Sequence, residues 1–101
     1  MNGLTGARVV IVDDEENEAI PVIRELSKRG VPSVYYKDIN DFPSSDAQKP
    51  LGIRLAILDM DLIGGAVSEK SIVSTLLGYL RKVLRVDNGP YGILIWTKHV
   101  N

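Results

Sequence analysis

Three short aliphatic runs constrain this chain more than any other feature. ARVVIVD (7–13), RLAILDMDL (54–62) and GILIWTKHV (92–100) each carry an unbroken apolar stretch, VVIV, LAIL and ILIW, ahead of a polar end. A strand with one wet face alternates apolar and polar residues. A continuous Val/Ile/Leu run is the pattern of a strand covered on both faces. VPSVYYKDI (31–39) reads as a further strand, second in chain order, and Pro32 at its start points to an edge position.

The segments between these runs have helical spacing. ENEAIPVIRELSKRG carries Ile20, Ile23 and Leu26 on one face, Lys28 and Arg29 in the last turn, and Gly30 as a stop. Pro21 is expected in the first turn, where a missing N–H does least harm. SEKSIVSTLLGYLRKVLR (68–85) carries a stripe of Ile72, Val73, Leu76, Leu77, Leu80, Val83 and Leu84. Ser68 is its expected N-cap, Glu69 lies in the first turn, and Arg81, Lys82 and Arg85 suit the negative end of the helix dipole. NDFPSSDAQKPLG has room only for a short or irregular helix, and DNGPYG is a turn. Strands alternating with helices imply an open α/β fold: a parallel sheet with helices on both faces, in the flavodoxin-like order 2-1-3-4. The fourth run stops one residue before the chain does, with nothing after it to cover that edge. Residues 1–101 are therefore expected to form one domain at the N-terminal part of a longer protein.

Composition narrows the function. There is no cysteine among the 101 residues, which excludes disulfides, thiolate nucleophiles and cysteine-ligated zinc, and suits a cytoplasmic location. A formal net charge of −1 argues neither for a nucleic-acid binder nor for a membrane-surface protein. No apolar run approaches the roughly 18 residues of a membrane span.

The acids are placed where an α/β sheet does its chemistry. In open parallel sheets the site lies outside the carboxyl ends of the strands, where the strand order reverses. Asp13 and Asp14 end the first run, Asp59 and Asp61 end the third, and Thr97 ends the fourth. In the order 2-1-3-4 the first and third strands are neighbours, so these acids share one crevice. Two like charges about 4 Å apart repel by on the order of 4 kcal/mol at an effective dielectric near 20. Such a group is tolerated when one acid keeps a proton or when a cation sits among them. Oxygen-only donors favour Mg²⁺, completed by water and a phosphate oxygen. Glu16 and Glu18 have a simpler role, as acids in the first turn of a helix.

VVIVDDEE, LAILDMDL and ILIWTK together resemble the receiver (CheY-like) domain of two-component response regulators, over nearly the whole chain. The resemblance implies Mg²⁺ held by Asp13 and Asp14, with the backbone carbonyl of Asp61 as a further ligand. It implies Asp59 as the phosphoacceptor and a metal ligand, and Thr97 as the hydroxyl that bonds the phosphoryl oxygen and sets the switch. It also implies a histidine kinase or phosphotransfer protein as donor, and an output domain in the remainder of the chain or in a separate protein. Four positions depart from the family pattern. The fifth strand and its lysine are absent, leaving them to the rest of a longer chain or to another copy. Ile63 replaces the usual proline, although Gly64 follows as expected. Lys98 replaces a small residue, and Asp59 and Thr97 are 38 residues apart, several more than in typical receivers. Lys98 and the single histidine, His99, read as loop residues.

Two rival readings stand beside this one. A degenerate receiver-like module, kept for protein contacts, fits the departures at Ile63 and Lys98. A haloacid-dehalogenase-type phosphatase fragment would use Asp59 as nucleophile, Asp61 as general acid and Thr97 for phosphate, but leaves Asp13 and Asp14 without a role.

Overall fold

The computed structural model describes residues 6–59 and 69–96. The elements are β1 (Val9–Val12), α1 (Glu16–Lys28), β2 (Ser33–Tyr36), β3 (Leu55–Asp59), α2 (Glu69–Val83) and β4 (Gly92–Trp96). The connection from β2 to β3 holds only two 3₁₀ turns, at Ile39–Asp41 and Asp46–Gln48, as its turn-rich sequence predicts. All strand pairs are parallel, and the sheet order is β2-β1-β3-β4. This is the predicted order, with β2 at an edge.

Alternation along the strands sorts the core into two clusters. Val10, Val12, Ala56 and Leu58 pack with Leu76, Leu80, Val83 and Leu84 of the α2 region. Val9, Ile11 and Ile57 pack with Ala19 of α1, and Val22, Ile23 and Leu26 lean on the same cluster. Of the seven apolar positions expected to form the stripe of α2, Leu76, Leu80, Val83 and Leu84 are buried, whereas Val73 (54% exposed) and Leu77 (38%) are not. The stripe is wider than the arc the sheet covers.

Helix α1 ends in a Schellman motif. The Val31 N–H donates to the Leu26 carbonyl at 2.8 Å and the Gly30 N–H to that of Ser27 at 3.0 Å. Gly30 sits at φ 73°, the left-handed region where a side chain is strained, which is why this helix stops at glycine. The place of Pro21 in it differs from expectation. Glu15 is the N-cap, and its carbonyl accepts from Glu18 at 3.0 Å and from Ala19 at 3.2 Å. The helix thus begins early enough to put Pro21 in its second turn, where the proline leaves the carbonyl four residues back without its helical donor. At the end of α2, Lys49 Nζ donates to the Arg81 carbonyl at 3.1 Å, and Arg85 pairs with Asp87 at 2.9 Å.

Tyr36 closes the first cluster with its ring edge-on to Phe42, centroids 5.4 Å apart. Its hydroxyl is buried with no hydrogen-bond partner among the described residues, and burial raises the phenol above its ordinary value of 10.0. Tyr36→Phe is therefore expected to stabilise the fold by about 1 kcal/mol at neutral pH. The sign of the pH effect follows from the raised value. Below pH 10 both states hold the phenolic proton and nothing changes. Above it the unfolded chain ionises first, so stability falls until the folded phenol also ionises. Urea titrations between about pH 8 and pH 11 should show that alkaline loss shrinking in the Phe variant.

Candidate metal centre

Parallel pairing brings the key acids together. Val12 is in register with Leu58, so Asp13 and Asp59 occupy the equivalent next step at the carboxyl ends of adjacent strands. The Asp13 N–H donates to the Tyr36 carbonyl at 3.2 Å, carrying the β1–β2 ladder one residue past β1. The Tyr35 hydroxyl donates to the Asp13 carbonyl at 2.7 Å. Asp13 Oδ1 accepts the Glu15 N–H at 2.8 Å, an Asx-type turn that directs the chain from strand into helix. The backbone that carries Asp13 and Asp14 is thus held from β2 and from its own turn.

Asp13 and Asp59 are completely buried, at 0% exposure, while Asp14 is exposed at the rim. One carboxylate oxygen from each of Asp13, Asp14 and Asp59 lies within 4.8 Å of the others. Three acids at that spacing, two of them out of water, form an oxygen-rich cluster. A divalent cation bridged by such oxygens would relieve the repulsion, and hard cations prefer this donor type. These three carboxylates could hold a metal ion.

The sequence-predicted residues divide as follows. Asp13, Asp14 and Asp59 are brought together. Glu16 and Glu18 lie in the first turn of α1, as expected for dipole partners. Asp61, Ile63, Gly64, Thr97, Lys98 and His99 lie outside the described residues. Tyr35 was not anticipated as a support for the site. Its register partner Ile11 stands two residues before Asp13, so a long side chain there reaches the end of β1, but only a known strand pairing reveals this.

The fold and site define a class in coarse terms: an α/β chain whose four-stranded parallel sheet carries an acidic cluster at the carboxyl ends of its two inner strands. No family model, no curated protein and no solved structure matches this chain. Among the described residues, no helix is long and apolar enough to cross a membrane.

Proposed function

We propose that this chain is a receiver-like signalling domain that accepts a phosphoryl group on Asp59, with Mg²⁺ held by Asp13, Asp14 and Asp59. The observation carrying the reading is the convergence of these three carboxylates within 4.8 Å at the ends of neighbouring parallel strands. The fine architecture proposed is flavodoxin-like, with helices on both faces of the sheet. Support comes from the two apolar clusters, which draw on alternate strand positions and include α1 in one and α2 in the other. Asp61, through its carbonyl, and Thr97, through its hydroxyl, complete the proposed set on the sequence resemblance.

The chemistry follows from the residue types. The Asp59 carboxylate attacks phosphorus, and the phosphoryl donor, proposed to be a phosphohistidine on a kinase or phosphotransfer protein, leaves with the P–N bond pair. A metal ion held by Asp13, Asp14 and Asp59 would offset charge on the transferred oxygens. The phosphorylated aspartate then presents acceptor oxygens that a nearby hydroxyl can bond, which re-sets the adjoining loop for an output partner. The phosphatase reading has no use for Asp13 and Asp14, both of which belong to the cluster.

Incubation with Mg²⁺ and acetyl phosphate should add one phosphoryl group to the native chain, read by intact-mass spectrometry, and none to Asp59→Asn. Beryllofluoride should change the native chain's spectrum in the same metal-dependent way. An unmodified native chain would favour the protein-contact module, and steady phosphate release from a generic phosphomonoester would favour the phosphatase.

A further inference from the structure

Two adjoining clefts lie beside the last turns of α2, and none of Asp13, Asp14 and Asp59 lines either of them. One, of about 310 Å³, is lined by the apolar side chains of Leu80, Leu84, Val86 and Tyr91. The other, of about 360 Å³, is polar, with Ser44, Ser45 and Lys82 in its wall. Asp46, Lys49 and Arg81 belong to both, so the clefts meet along these three side chains. An apolar lining joined to a few converging polar groups is the usual make-up of a small-molecule site, and such sites start at roughly 300 Å³.

The charges here are one-sided. Lys49, Arg81, Lys82 and Arg85 line the pair of clefts against a single carboxylate, Asp46, in a chain whose formal net charge is −1. Asp46 is paired with Lys49 Nζ at 3.1 Å, and Arg85 with Asp87 at 2.9 Å. Arg81 and Lys82 are exposed and have no ion-pair partner among the described residues. The helix dipole favours cations in this turn, yet the Arg81 carbonyl is already served by Lys49 Nζ at 3.1 Å. The two spare cations instead flank the serines. Ser45 precedes the turn Asp46–Gln48 without capping it, and the Ser44 hydroxyl makes only a long bond to Gln48 Oε1, at 3.3 Å. A guanidinium fork beside an ammonium and two hydroxyls suits the several oxygens of a phosphate. The apolar cleft that shares Arg81 can then take an apolar body joined to that head.

We propose that these clefts bind a small organic phosphate, its head at Arg81 and Lys82 and its apolar body against Leu84 and Tyr91. Phenyl phosphate is a probe of this class, and chelator keeps any cation from drawing it to the acidic cluster. Titrated into the native chain with chelator present, it should shift the backbone amide resonances of residues 44–49 and 80–91 to a saturable end point. Inorganic phosphate and phenol each carry only half of the ligand, and each should bind about tenfold more weakly or worse. Arg81→Ala should weaken phenyl phosphate by about tenfold, the loss of one charge-assisted contact, with unchanged far-ultraviolet circular dichroism. Lys82→Ala, at the neighbouring exposed position, should act in the same direction. Absence of a saturable shift, shifts confined to other residues, inorganic phosphate binding as tightly as phenyl phosphate, or native-like binding by both variants would overturn the proposal. Asp59→Asn should bind the probe like the native chain, so this result and the phosphorylation result fail independently.

Discussion

Metal-free Asp59→Asn protein is expected to be more stable than the native sequence by about 2 kcal/mol, and to lose most of its response to Mg²⁺. The direction follows from the site. Asp59 and Asp13 are both fully buried and share a cluster with Asp14. At the 4.8 Å limit of that cluster, each like-charged pair repels by on the order of 3 kcal/mol at an effective dielectric near 20. Asparagine keeps the size and an acceptor oxygen while removing one of the charges. For a chain of this length, about 2 kcal/mol corresponds to a rise of roughly 10 °C in Tm. The native chain should gain stability on adding Mg²⁺, by about 2.7 kcal/mol at 100 times its Kd, and the variant much less. Thermal melts with chelator and with excess Mg²⁺ measure both effects. A less stable variant, or one that responds to Mg²⁺ like the native chain, would mean that the three acids are satisfied within the protein and await no cation.

Asn88→Ala is expected to cost about 3 kcal/mol, a large effect for a residue in a turn. The Asn88 side chain is buried at 6% exposure and ties the segment before β3 to the segment before β4. Its Oδ1 accepts the N–H groups of Gly52 at 3.0 Å and Ile53 at 2.8 Å. Its Nδ2 donates to the carbonyls of Ile53 at 3.0 Å and Gly89 at 3.1 Å. The side chain thus imitates a strand edge toward Ile53, which is itself completely buried. Alanine would leave the buried Ile53 N–H without its partner, at about 1–3 kcal/mol, remove the acceptor of the Gly52 N–H, and leave the Ile53 carbonyl only the Arg54 guanidinium at 3.2 Å. Asn88→Asp is expected to be comparably harmful, because a carboxylate would face the Ile53 and Gly89 carbonyls in place of an amide donor. Urea denaturation gives the magnitude, and hydrogen exchange should show faster exchange at Gly52 and Ile53.

The acidic site was legible because both of its parts are local patterns. VVIVDD and LAILD each announce a strand and the acid that ends it, and the alternation of strands with helices orders those strands. Once β1 and β3 are neighbours, Asp13 and Asp59 must meet, since parallel register aligns their carboxyl ends. The misreadings have a different origin. Pro21 lies one turn deeper than expected because the early start of α1, assisted by the Asp13 turn, cannot be deduced from helical spacing alone. Val73 and Leu77 are as apolar as Leu76 and Leu80, and periodicity does not say how much of a stripe the sheet will cover. Asn88 within DNGPYG carries no signal at all, because a buried asparagine bonding residues 35 positions earlier has the composition of an ordinary turn.

Local sequence by itself therefore determined the strands, the helices, their parallel order and the three carboxylates that converge. All of these depend on side-chain periodicity and on the direction in which a strand ends. Tertiary structure alone decided that Asp13 and Asp59 are fully buried while Asp14 stays in solvent, and that Tyr35 and Asn88 hold backbone from a distance. Burial and long-range hydrogen bonding are properties of what lies opposite a residue, and a linear pattern does not record what lies opposite.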